Sequence, residues 1–179
     1  MNTWIVFFRG INVGGNNILP MAELKNSLKS LNLNNIRSYI QSGNIIFESD
    51  IKSKGSLIDL ITQHIDKHHG FRPHLVLLNQ QDLITAIKSN PFPDAISDPK
   101  TLHFYFLASS PLKPNLKALN EIKKPSETFK LFVNVFYLHA PEGIGRSKLA
   151  AQVEKHLGVV ITARNYRTVN KVYSLLTQE

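Results

Sequence analysis

The chain has 179 residues, 42% of them hydrophobic, with 21 Lys and Arg against 13 Asp and Glu and no cysteine. That apolar content supports a sizeable core, as one large domain or two small ones, and the absence of cysteine excludes disulfides, thiolate catalysis and sulfur-bound metal. A net charge of +8 favours anionic partners, because Coulomb attraction and counterion release act on any polyanion.

A cysteine-free chain suits a reducing compartment, so the cytoplasm is the expected location. The apolar run Trp4 to Phe8 is far shorter than a signal-peptide core, and no segment reaches membrane-spanning length, so no membrane partner is expected.

In chain order, Trp4 to Phe8 reads as a buried strand ending at Arg9, followed by a loop rich in glycine and asparagine. Pro20 stands where a first helical residue is tolerated, and Met21, Leu24, Leu28 and Leu31 form a helical apolar stripe. Ile36 to Ile40 and Asn44 to Glu48 read as a hairpin turning at Gln41-Ser42-Gly43. Ser56 with Asp59 resembles a capping box opening a helix that buries Leu57, Leu60, Ile61 and Ile65 and ends at Gly70; His74 to Leu78 is the next strand. Asn79 and Asp82 cap a short helix, and the segment from Asn90 to Pro99 reads as a linker.

The order then repeats without obvious sequence identity. It comprises a strand from Thr101 to Ala108, a helix from Asn115 to Ile122, a hairpin from Phe129 to Leu138 divided at Asn134, and a helix from Ser147 to Leu157 closed by Gly158. A strand from Val159 to Thr162 and a final helix from about Asn165 complete it. The expected fold is therefore α+β, with two ferredoxin-like βαββαβ subdomains and a C-terminal helix. Residues 1–78 form the first, 79–100 a short helix and linker, and 101–179 the second with the final helix.

In such a plait the first and second strands run parallel and the third and fourth run against them, so the end of the first strand meets the hairpin turn. That gathers Arg9, Gly10, Asn12, Gly14 and Gly15 beside Gln41, Ser42, Gly43 and Asn44, with Arg72 and His74 nearby. In the second half, the third and fourth strands end together, bringing Arg146, Ser147 and Lys148 toward Arg164, Asn165 and Thr168. Both of these segments open helices, where free N–H groups, the positive dipole end and cationic side chains favour an anion.

Other signals are weaker. Gly14-Gly15 has neither the spacing of a dinucleotide fingerprint nor the lysine and hydroxyl residue of a P-loop, so no cofactor is assigned. His64 and His68 lie one helical turn apart, but Ile65 stands where a zinc protease carries glutamate, and the histidines read as amphipathic surface residues, so no metal is expected. No catalytic set emerges from spacing, although folding could unite His74, His103 and His139. An RNA-recognition domain shares the βαββαβ order but stacks bases on strand aromatics. Here Phe47 stands alone on its strand, and Trp4, Phe7 and Phe8 look as much like core.

The motifs FFRGINVGG, PMAEL, YIQSGNIIF, GRSKL and ARNYRTVNK together resemble an uncharacterised bacterial family known as a domain of unknown function. The similarity runs almost from end to end. It implies an α+β architecture with two subdomains and brings no established activity. Its motif positions fall on Arg9, Gly10, Asn12, Gly14, Gly15, Gln41, Ser42, Gly43 and Asn44, then on Ser147, Lys148, Arg164, Asn165 and Thr168. Tyr166 departs from the tryptophan often found in that family.

The leading expectation is a protein that binds a small anionic or phosphorylated ligand, or a nucleotide, at these polar loops. Arg9 and Arg164 would bind charge while Gln41 and Asn44 orient the ligand. The alternative is a nucleic-acid-binding module using the basic stretch from Arg146 to Lys171.

Overall fold

A computed structural model describes residues 1–177, which divide into two compact units, Met1–Thr85 with the chain from Lys171 onward, and Ala86–Asn170. Each unit contains a four-stranded antiparallel sheet, and the two sheets repeat one topology.

In the first unit the elements are β1 (Asn2–Arg9), α1 (Met21–Ser30), β2 (Asn34–Tyr39), β3 (Asn44–Ser49), α2 (Lys54–His69) and β4 (His74–Asn79). The strand order is β2-β3-β1-β4. Both neighbours of β1 run antiparallel to it and β2 runs antiparallel to β3, which makes β1 and β2 co-directional, as in a ferredoxin-like plait.

Alternate residues of β1 explain its unbroken apolar sequence. Trp4, Val6 and Phe8 join Ile45, Phe47, Leu75 and Leu77 in a core covered by Leu24 and Leu28 of α1 and Leu57, Ile61 and Ile65 of α2. Ile5, Phe7, Ile46 and Val76 on the other face are also buried. A strand buried on both faces needs apolar residues at every position rather than at every second one.

Helix ends follow local chemistry. Gly70 closes α2 in the left-handed conformation with φ 77°. The cap that opens α2 is Ser53, not Ser56: the Ser53 side chain accepts the Ser56 backbone N–H, and the helix begins one residue after it. Pro20 likewise stands just before the first residue of α1 rather than inside it. The box expected at Asn79 and Asp82 is present, each side chain accepting the other's backbone N–H at 2.8 and 3.0 Å, and it opens α3 (Gln80–Lys88).

The second unit continues through a 3₁₀ turn at Pro93–Ser97, β5 (Leu102–Leu107), α4 (Leu116–Ile122), β6 (Thr128–Phe132), β7 (Val135–His139), α5 (Lys148–Leu157), β8 (Ile161–Asn165) and the start of α6 (Tyr166–Thr177). Its sheet has the order β6-β7-β5-β8. Tyr105, Leu107, Phe136, Leu138 and Ile161 pack under Leu119, Leu149, Val153 and Leu157 from α4 and α5.

The last strand starts two residues later than the hydrophobic run suggests. Val159 and Val160 lead out of Gly158, and pairing with β5 begins at Leu107↔Ile161 and extends to His103↔Asn165. Arg164 and Asn165 are therefore strand residues. The 90–99 segment is not a plain linker either, since Ala95 is buried and the 3₁₀ turn gives it regular structure. The end of α6 lies in the first unit, where the Arg37 guanidinium donates to the Leu175 carbonyl.

Candidate functional site

The first polar pole assembles as strand topology requires. Arg9 stands opposite His74 and Phe7 opposite Asn44, while the Phe8 N–H donates to the Gly43 carbonyl at 2.9 Å. Arg72, which precedes β4, pairs with Asp66 at 2.8 Å.

Asn12 organises the loop between β1 and α1. Its Nδ2 donates to the carbonyls of Leu19 and Gln41, both at 2.9 Å, and its Oδ1 accepts the Leu19 N–H at 2.8 Å. A positive φ of 55° suits asparagine better than most residues. Asn17 adds a second tie, donating to the Gly10 carbonyl at 2.9 Å. Asn44 is buried and donates to the Tyr39 carbonyl and the Ser42 hydroxyl, so its amide braces the hairpin turn.

Two kinds of glycine separate here. Gly43 combines φ 73° with no room for a side chain, because a Cβ there would stand 2.6 Å from Phe8 Cβ and 2.7 Å from Ile11 Cδ1. Gly14 and Gly15, with φ 59° and 76°, face open space. Among the described residues no hydrogen bond engages their N–H groups. Arg9, Gly10 and Gln41 are exposed, whereas Asn12 and Ser42 are half-buried.

The second cluster forms at the opposite end of its plait, where β7 and β8 finish on either side of the start of β5. Ser147 is buried and its Oγ accepts the Ala150 N–H at 3.0 Å, capping α5; Asn165 caps α6 by accepting the Thr168 N–H at 3.0 Å. Thr168 is buried as well. The Arg164 guanidinium donates to the Ala163 carbonyl at 2.9 Å and lies close to Thr162 Oγ1. Burial pushes Arg164 down to about 10, which leaves it charged at neutral pH. Of the six residues expected there, Arg146 and Lys148 are the exposed ones.

The histidines do not form one set. His74 belongs to the first unit, while His103 and His139 sit on adjacent strands with registers Leu102↔His139 and His103↔Leu138, which puts their side chains on opposite faces. His103 is buried, and its Nε2 has no hydrogen-bond partner among the described residues. Desolvation lowers its pKa, opposed by a hydrogen bond with the Lys100 backbone.

On α2, the His64 and His68 rings lie 4.3 Å apart, and His64 and His69 reach Ser30 and Ser27 of α1 at 3.3 and 3.0 Å. The His64 pKa is lowered by desolvation, then by His68, His69 and Lys67. No group of three or more His, Cys, Asp or Glu residues suited to a metal occurs among the described residues.

Trp4, Phe7, Phe8 and Phe47 are all buried, so none of these rings is open to a stacked base. Tyr166 packs its ring 5.7 Å from that of Phe104. A feature not apparent in the sequence is a cleft of about 400 Å³ between residues 91–98 and the end of β7. In sequence the segment reads as a linker, and the cleft arises only where its backbone comes against the end of β7.

The model of the family described as "Protein of unknown function (DUF1697)" matches residues 1–137. The chain belongs to this family. A solved structure, described as the conserved bacterial protein SP0830 from Streptococcus pneumoniae, shares 27% identity with it, covers 98% of this chain and 99% of its own, and superposes with a TM-score of 0.77. No curated protein matches the chain. Neither description specifies an activity. No helix among the described residues is long and apolar enough to cross a membrane.

Proposed function

We propose that this member of the family binds a small anionic or phosphorylated ligand, nucleotides included, at the glycine-asparagine loop of the first unit. The observation carrying this reading is that Gly14 and Gly15 present N–H groups engaged in no hydrogen bond among the described residues, at positive φ in the loop that follows Arg9 in the chain. Successive backbone N–H groups in a turn, the conformation of Gly14 and Gly15, form a concavity that favours negative charge. Asn12 and Asn17 fasten the loop, which reduces the ordering cost of binding.

The division of labour follows from these contacts. Arg9 supplies charge, the Gly14 and Gly15 amides supply donors, and Gln41 orients the ligand at the rim. Asn12, Ser42 and Asn44 hold the loop and turn in place. The second cluster is a weaker ligand site, because the Ser147 and Asn165 side chains cap helices and Arg164 is half-buried, its guanidinium donating to the Ala163 carbonyl. A cytoplasmic setting accords with the cysteine-free sequence.

The test is thermal stability against inorganic phosphate, pyrophosphate, nucleotides and sugar phosphates, since binding to the native state raises the melting temperature. Arg9→Ala should weaken binding roughly ten-fold or more, the worth of a hydrogen bond to a charged group. Undiminished binding by Arg9→Ala would exclude this site.

A second reading, nucleic-acid binding, draws support from the exposure of Arg146, Lys148, Lys155, Arg167 and Lys171 along the basic stretch. It requires affinity for short oligonucleotides to fall steeply with salt and to decline by similar steps as these cations are replaced. Salt-independent binding would count against it.

A further inference from the structure

We propose that the cleft formed by the 91–98 segment and His139 binds a small organic amine, with Asp94 and Asp98 receiving the ammonium group and Phe92 flanking its apolar body. The volume, about 400 Å³, falls within the ordinary range for a small-molecule pocket. Pro91, Phe92 and Pro93 provide apolar lining, and the Phe92 and His139 rings lie 6.2 Å apart at 38°.

This wall is fixed rather than loosely draped. Asn90 accepts the Phe92 N–H at 3.0 Å and donates to the Phe92 carbonyl at 3.3 Å. Thr101 closes the other end, its N–H and hydroxyl donating to the Asp98 carbonyl at 3.0 and 2.8 Å. A cleft shaped before binding spares the ligand the cost of ordering it.

Charge selects the occupant. Asp94 and Asp98 are exposed lining residues, their carboxylates make no ion pair or hydrogen bond among the described residues, and no lysine or arginine lines the cleft. In a chain of net charge +8, this local excess of carboxylate disfavours anions and attracts a cation. A bare metal ion fits less well, because no group of three or more metal-ligating carboxylates and imidazoles forms among the described residues. An ammonium on an apolar body uses both features, pairing with carboxylate while its carbon frame contacts Phe92 and proline, and an aromatic face adds cation–π attraction.

The experiment titrates the full chain with 2-phenylethylamine, using 2-phenylethanol as the neutral control, followed by calorimetry and backbone NMR shifts. Saturable binding of the amine, with shifts centred on residues 91–101 and 139, is the expected result. The Asp94→Asn, Asp98→Asn double variant loses no native hydrogen bond and should fold normally while binding roughly ten-fold or more weakly. Equal binding of amine and alcohol, full affinity in the folded double variant, or no saturable binding of the amine would each overturn the assignment.

Discussion

Replacing Gly43 with alanine separates the scaffold of the first pole from its binding surface. At φ 73° an alanine pays the left-handed penalty of roughly 1–2 kcal/mol. Its Cβ would also stand 2.6 Å from Phe8 Cβ, which is fixed to the central strand, and 2.7 Å from Ile11 Cδ1, so relief requires movement in a packed core. Such overpacking costs about 1–3 kcal/mol, while the less flexible unfolded chain returns about 0.4–1 kcal/mol. The net loss is about 2–4 kcal/mol, a large fraction of the roughly 5–15 kcal/mol that holds a typical domain. Gly14→Ala has the left-handed term but meets no atom within 4 Å, so it should lose only about 1 kcal/mol. Urea unfolding of both variants, each compared with the parent chain, isolates the packing contribution. If Gly43→Ala is no less stable than Gly14→Ala, the close approach of the turn to Phe8 and Ile11 is wrong.

Three further outcomes follow from the same contacts. Asn12→Ala removes three hydrogen bonds and a residue suited to its positive φ, so it should lose about 1–3 kcal/mol and speed hydrogen exchange at Leu19; unchanged exchange would refute its role as the loop's anchor. Ser53→Ala should cost about 1 kcal/mol by removing the α2 cap, whereas Ser56→Ala, which leaves the accepted backbone N–H in place, should cost less, as paired denaturation curves can test. His103 has a lowered pKa chiefly through desolvation, so at pH values between that lowered pKa and the ordinary value near 6.5 the unfolded state binds more protons. Acidification through this window should destabilise the protein, and His103→Gln should flatten that part of the pH–stability profile; an unchanged slope would show that His103 does not contribute.

Periodicity and turn chemistry were enough to determine the repeated βαββαβ order. The apolar run of β1, the glycine ends of α2 and α5 and the Asn79–Asp82 box are local choices between few conformations, each made by residues close in sequence. The pairing rules of the plait then bring Arg9 next to His74 and Phe8 next to Gly43, so the first pole follows from order alone. Local signals misled where near-equivalent residues compete: Ser53 and Ser56 can both cap, and register against β5 rather than hydrophobicity begins β8 at Ile161. Side-chain fate required the tertiary structure. Asn12 and Asn44 look like exposed ligand groups in sequence, but their amides donate to the Leu19, Gln41 and Tyr39 carbonyls and the Ser42 hydroxyl, and Arg164 is half-buried. The cleft beside Phe92 likewise exists only once residues 91–98 lie against the end of β7, because concavity and burial depend on segments distant in sequence, whereas helix, strand and turn preferences act through neighbours.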